Sequence, residues 1–150
     1  MNQERKLARR LMFASYRADE AFCMEAKKKN LNWTELGLLY ALHGSEPMSQ
    51  KALAEALVFP PTTVNTIVKA WEKKGLLVQV PVDGKRREMH IVLTEAGEQY
   101  AREQLEFIYQ IEEKAIKKTL EKYSPDFIEA LEYYGECVHE LFKEEQEPNP

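Results

Sequence analysis

The chain has 150 residues, 44% hydrophobic and 10% aromatic, with a formal net charge of −4. That suits one compact domain, or a small domain with a dimerisation arm, and excludes a disordered chain. A soluble cytoplasmic protein is expected: no apolar run approaches the ~18 residues of a membrane span, the opening MNQERKLARR lacks a secretory signal's apolar stretch, and Cys23 and Cys137 are far apart.

The first expected element is a helix over residues 4–29. Its apolar stripe is Leu7, Leu11, Ala14, Ala18 and Phe22, and Lys27 to Lys29 suit its C-terminal end, where the macrodipole favours cations. Asn32 and Glu35 form a capping-box pair for a second helix running to His43, with Gly44 as its stop. Ser49 suits the N-cap of a third helix through Leu57, whose inner face is Leu53, Ala54 and Leu57. Val58-Phe59-Pro60 then makes a turn, and Pro61 presets the first turn of a fourth helix.

That fourth helix, about residues 61–74, has two faces. Val64, Ile67, Val68 and Trp71 point inward, while Thr62, Thr66, Lys69 and Lys73 share the outer side, with Thr63 and Asn65 near the start. Short hydroxyls, an amide and ammonium groups are the side chains that reach phosphates and base edges. Thr and Asn are poor helix formers, so propensity does not account for them. The plainer alternative is a solvated polar face.

Strand patterns follow at Leu76 to Val82 and Arg87 to Leu93, with Asp83-Gly84 between them, a strong two-residue hairpin signal. With that turn Val80 faces Arg87 and Val78 faces Met89. Leu76, Val78, Met89, Ile91 and Leu93 then point inward, and Gln79, Glu88, His90 and Val92 outward. The wing, residues 82–88, presents Lys85, Arg86 and Arg87 at its tip, suited to a phosphate backbone or an adjacent minor groove.

Thr94 caps a long helix over about 95–122, with a stripe of Leu105, Ile108, Ile111, Ala115 and Thr119. Ser124-Pro125-Asp126 opens another, with a stripe of Phe127, Leu131, Tyr134, Val138 and Leu141. Such long terminal stripes need more cover than a reading head of about 50 residues offers, most simply a two-fold dimer. The expected class is therefore mainly α with a small β-hairpin wing: a winged helix-turn-helix over residues 32–97, helical dimerisation regions at 1–31 and 98–145, and a flexible tail at 146–150.

An acidic total disfavours DNA binding, but the charge is unevenly placed. Residues 98–150 carry 6 Lys and Arg against 14 Asp and Glu, whereas residues 62–90 carry 6 against 3. The local field near the phosphates outweighs the global sum, since screening sets in at roughly 8–10 Å.

Leu53-Ala54, the polar fourth helix, Trp71-Glu72-Lys73-Lys74-Gly75-Leu76, Arg87 and Leu93-Thr94-Glu95-Ala96-Gly97 together resemble the MarR family of multiple antibiotic resistance regulators, over nearly the whole chain. The resemblance implies a homodimeric transcriptional regulator, often a repressor, with paired recognition helices in successive major grooves of an inverted-repeat operator. It also implies release by small phenolic or other aromatic compounds, or by cysteine oxidation. Two positions depart from the pattern: Gln79 stands where members commonly carry Arg, and Lys85 stands at the Asp of the wing's Asp-x-Arg. Asp83 and Glu88 are the candidate substitutes for that carboxylate.

No other chemistry competes strongly. His43, His90 and His139 sit on separate elements without metal-ligand spacing, and neither a phosphate loop nor a nucleophile elbow is present. No enzyme activity, metal or cofactor is expected. Cys23 and Cys137 suit small buried hydrophobes better than redox sensors. Tyr16, Trp33, Tyr40 and Tyr109, with Trp71, are candidates for an effector cleft between dimer layer and reading head, although aromatics at helical spacing more often fill cores. The leading function is a ligand-responsive dimeric DNA-binding repressor. The alternative is a winged helix used for protein–protein contact.

Overall fold

The computed structural model describes residues 2–82, 84–85 and 87–146. Six helices and one antiparallel hairpin follow in the order α1 (Gln3–Lys28), α2 (Trp33–Leu42), α3 (Gln50–Leu57), α4 (Pro61–Lys73), β1 (Leu77–Pro81), β2 (Met89–Leu93), α5 (Glu95–Leu120) and α6 (Asp126–Gln146). Two compact units divide the chain within α5, residues 1–108 and 109–150. Among the described residues no helix is long and apolar enough to cross a membrane. The expected turn residue Asp83, the expected contact Arg86 and the tail beyond residue 146 lie outside the described residues.

Local chemistry explains most boundaries. Asn2 caps α1 by accepting from the Arg5 amide at 3.0 Å. The capping box at α2 is complete: Asn32 Oδ1 accepts from the Glu35 amide at 2.9 Å, and Glu35 Oε2 accepts from the Asn32 amide at 3.0 Å. Ser49 Oγ caps α3 by accepting from the Ala52 amide at 3.1 Å. Helix α4 starts without a side-chain cap; the Pro60 carbonyl instead takes the Thr63 and Val64 amides at 2.9 and 3.2 Å.

The first unit's core draws on each of these elements. Leu36, Leu38, Leu39 and Leu42 of α2 are buried, as are Leu53 and Ala54 of α3 and Leu105 and Ile108 of α5. The whole predicted inner face of α4, Val64, Ile67, Val68 and Trp71, is buried too. Leu57 is only half-buried. At roughly 1.5–3 kcal/mol per fully buried large apolar side chain, this shared core is what holds α4 in place.

The hairpin keeps its antiparallel sense but not the expected register. Val78 faces Val92 rather than Met89, and Val80 faces His90 rather than Arg87, a slip of three residues. Because side chains alternate across a strand, an odd slip exchanges the faces of β1. Leu77 is therefore buried beside Ile91 and Leu93, while Val78 and Met89, both expected inside, are exposed, and Leu76 is half-buried. The connection is longer than a two-residue turn: the Val82 amide donates to the Glu88 carbonyl at 3.0 Å, and the Lys85 amide donates back to the Val82 carbonyl at 3.1 Å. The Ile91 amide also donates to the Met48 carbonyl at 2.8 Å, tying β2 to the chain before α3.

A clasp at the foot of the wing sets that register. Gly75, at φ +72°, ends α4, and the Leu76 amide reaches back to the Trp71 carbonyl at 2.9 Å. Thr94 then holds the far strand end. Its Oγ1 donates to the Gly75 carbonyl at 2.6 Å and accepts from the Gly97 amide at 3.1 Å, and its own amide donates to the Leu76 carbonyl at 3.0 Å.

One backbone conformation stands out in the helix-turn-helix. Val58 adopts φ +53°, ψ 40° at the C-terminus of α3, with its side chain 80% exposed. A β-branched residue is disfavoured there by roughly 1–2 kcal/mol, with no packing to offset it. Val58→Gly is expected to stabilise the fold by about 1 kcal/mol after the extra freedom of the unfolded glycine is counted, raising Tm by roughly 2–4 °C. Thermal unfolding followed by circular dichroism checks this, and an unchanged or lower Tm would refute the strain.

Candidate nucleic-acid interface

The outer face of α4 is solvent-facing, as the sequence predicts. Thr62, Thr66, Lys69 and Lys73 are exposed in one row, with Thr63 and Asn65 half-buried beside them. Thr66 Oγ1 donates to the Thr62 carbonyl at 2.9 Å, which fixes its rotamer and leaves the oxygen's remaining lone pairs outward-facing acceptors. Neither Lys69 nor Lys73 has a carboxylate within ion-pairing distance among the described residues. Exposed, unpaired ammonium groups beside hydroxyls make this face chemically suited to a polyanion.

The wing brings a different charge arrangement from the one expected. Glu88 does not orient Arg87. Its carboxylate accepts from Lys85 Nζ at 2.8 Å and lies 3.4 Å from His90 Nε2. The hydrogen bond from Lys85 holds the Glu88 carboxyl below its ordinary range against partial desolvation, and His90 adds to the effect. Lys85, standing at the family's Asp position, has thus acquired its own acid. Arg87 is exposed and has no acidic partner among the described residues.

Three polar residues outside the expected contact set, Gln50, Lys51 and Gln79, line this side of the molecule as well. Gln50 Nε2 donates to Gln79 Oε1 at 3.3 Å, and Gln79 Nε2 reaches Glu72 Oε1 at 3.5 Å, so α3, β1 and α4 are linked by amides. A groove of about 720 Å³ opens between the first turn of α3, where Lys51 lies, and the wing residues Lys85 and Arg87. The available signal was positional: in a helix-turn-helix the first helix crosses the DNA backbone when the second enters the groove.

The aromatic candidates are not all alike. Trp71 is a core residue at 2% exposure. Trp33 and Tyr40 are exposed and share one face of α2, two turns apart, and the Trp33 ring lies 6.3 Å from that of Phe22. Tyr16 is exposed on α1, while Tyr109 is half-buried in the second unit. Both cysteines are free and half-buried, and His43 and His90 face Glu98 and Glu88 at 3.6 and 3.4 Å.

A capped helix-turn-helix with a polar outer helix and a hairpin beside it forms a winged-helix fold. Residues 29–88 match the model of the MarR family. Solved structures agree at the level of fold. NMB1585, a MarR family regulator from Neisseria meningitidis, is 23% identical, with a TM-score of 0.78 over 97% of this chain and 100% of that one. NadR in complex with 4-hydroxyphenylacetate is 19% identical, with a TM-score of 0.66 over 87% of this chain and 88% of its own. Overoxidized AbfR bound to DNA is 19% identical, with a TM-score of 0.61 over 95% of this chain and 99% of its own. No curated protein sequence gives a significant match.

Proposed function

We propose that the chain is a homodimeric, cytoplasmic transcriptional repressor that reads an inverted-repeat operator and is released by a small aromatic or amphipathic effector. Helix α4 enters the major groove, with Thr62, Thr63, Asn65, Thr66, Lys69 and Lys73 as its contacts. The wing residues Lys85, Arg86 and Arg87 take the backbone or the adjacent minor groove. The observation that carries this reading is the exposed row on α4, whose two lysines, like Arg87 on the wing, have no acidic partner among the described residues. The shared fold with DNA-bound AbfR supports it. NadR's complex with 4-hydroxyphenylacetate supports an aromatic effector, for which Tyr16, Trp33, Tyr40 and Tyr109 are the candidate contacts. Exposed apolar side chains on α1, among them Leu7, Phe13 and Tyr16, and on α6, among them Leu131, Tyr134 and Leu141, support a partner of the same chain.

Arg87→Ala and Lys69→Ala should each weaken DNA binding and leave Tm unchanged. Titration against a duplex selected by the parent from a random pool separates two kinds of contact. Loss of a phosphate contact lowers affinity evenly across sequences and reduces the salt slope by about one; loss of a base contact costs ~1–3 kcal/mol and relaxes specificity. Both variants binding like the parent would remove these residues from the interface. A parent that selects no duplex would return the chain to the protein–protein alternative.

A further inference from the structure

The turn that leads into α4 loses stability at two positions, and they stand two residues apart. Val58 holds a left-handed conformation, at φ +53°, that favours glycine, with its side chain in solvent. Pro60 occupies the N-cap of α4, where a Ser, Thr, Asp or Asn side chain would accept from a free amide, and no side-chain cap is made there. Pro61 has a local reason for its place, since its fixed φ suits the first helical position. Val58 and Pro60 have none. Phe59, between them, is half-buried, and its ring lies 3.1 Å from where a Cβ on Gly37 of α2 would stand, so the turn is anchored to the core. Val58 and Pro60 are left exposed on either side of it, and no charged residue stands between Glu55 and Lys69 in the chain.

We propose that Val58 and Pro60 together make an apolar contact with the 5-methyl group of a thymine beside the bases read by α4, and so add a preference for thymine that the polar row of α4 does not supply. The inference rests on the DNA-binding reading above. The first residues of a recognition helix lie at the base edges when the helix enters the major groove, and the turn before them is carried to the same place. Every base edge there presents hydrogen-bonding groups, and thymine alone adds a hydrocarbon surface, its methyl. An uncharged apolar pair is matched to that methyl and has nothing to offer a phosphate. Strain kept at an exposed position, with no packing to offset it, marks a side chain retained for what it touches outside the fold.

The probe is the duplex that the parent selects from a random pool, with each thymine in turn replaced by deoxyuridine, which removes the methyl and keeps every hydrogen-bonding group. At one thymine or more the parent should bind the substituted duplex about fourfold more weakly, the worth of one buried methyl. Val58→Gly combined with Pro60→Ser should bind the two duplexes equally. That double variant should also unfold at a higher temperature than the parent, because it relieves the left-handed valine and supplies a side-chain cap, so its loss of discrimination is separable from a loss of fold. A parent indifferent to every deoxyuridine, or a double variant that keeps the parent's response, would overturn the methyl contact and leave the DNA reading standing. A parent that selects no duplex would overturn the DNA reading itself.

Discussion

Gly97→Ala is expected to cripple the fold, lowering stability by about 4 kcal/mol or more and Tm by roughly 8–16 °C. A Cβ at position 97 would overlap the Leu76 carbonyl oxygen and come within 2.8 Å of its carbon. Both are backbone atoms, so relief by a side-chain rotation is unavailable. The Leu76 carbonyl is also committed, since it accepts from the Thr94 amide at 3.0 Å. Moving it aside pulls on Thr94, whose hydroxyl joins the end of α4 to the start of α5 through Gly75 and Gly97. Overpacking in a well-filled site costs roughly 1–3 kcal/mol alone, and the strained hydrogen bonds add to it. Thermal and denaturant unfolding give the measurement. A Tm within about 2 °C of the parent's would mean that α5 can slide off the clasp freely.

The same clasp explains what was legible in the sequence and what was not. Asn32 with Glu35, Ser49 and Thr94 announce helix starts through short-range hydrogen bonds, and all of those caps are present. The buried stripe of α4 was equally plain, because Val64, Ile67, Val68 and Trp71 follow helical spacing. The hairpin register was not. Leu76, Val78, Val80 and Val82 make a more apolar alternating frame than Leu77, Gln79 and Pro81, and Asp-Gly suggests a two-residue turn. The structure selects the poorer frame because Leu76 is held at the clasp, so Leu77 enters the core. Tertiary hydrogen bonds thus overrode local pattern. The candidate site divides likewise. The α4 row could be read from composition, but Gln50, Lys51 and Gln79 belong to separate elements and meet only once α3 and the wing are folded together. Of the two acids expected beside the wing Arg, Glu88 is taken instead by Lys85, two residues before Arg87.

The second large effect is expected on assembly. Leu131 and Tyr134 of α6 are exposed in the single chain, and Val138 is half-buried, although they lie on one apolar stripe. Leu7 of α1 and Ile111 of α5 are exposed as well. Solvating such stripes forfeits about 25 cal/mol for each Å² of apolar surface that a partner would bury. A stable contact typically buries about 1,600 Å² in total. The parent should therefore sediment as a dimer, joined through α1, α5 and α6. Leu131→Glu combined with Val138→Glu would place unpaired carboxylates in that contact, where an uncompensated buried charge is strongly unfavourable. The double variant should sediment as a monomer while its far-ultraviolet circular dichroism still reports helices. Its DNA affinity should collapse to that of a single reading head, because two half-sites roughly 34–36 Å apart are then no longer held by one molecule. A monomeric parent in sedimentation equilibrium would rule out the dimer. A double variant that stays dimeric would move the interface away from α6, onto the exposed face of α1.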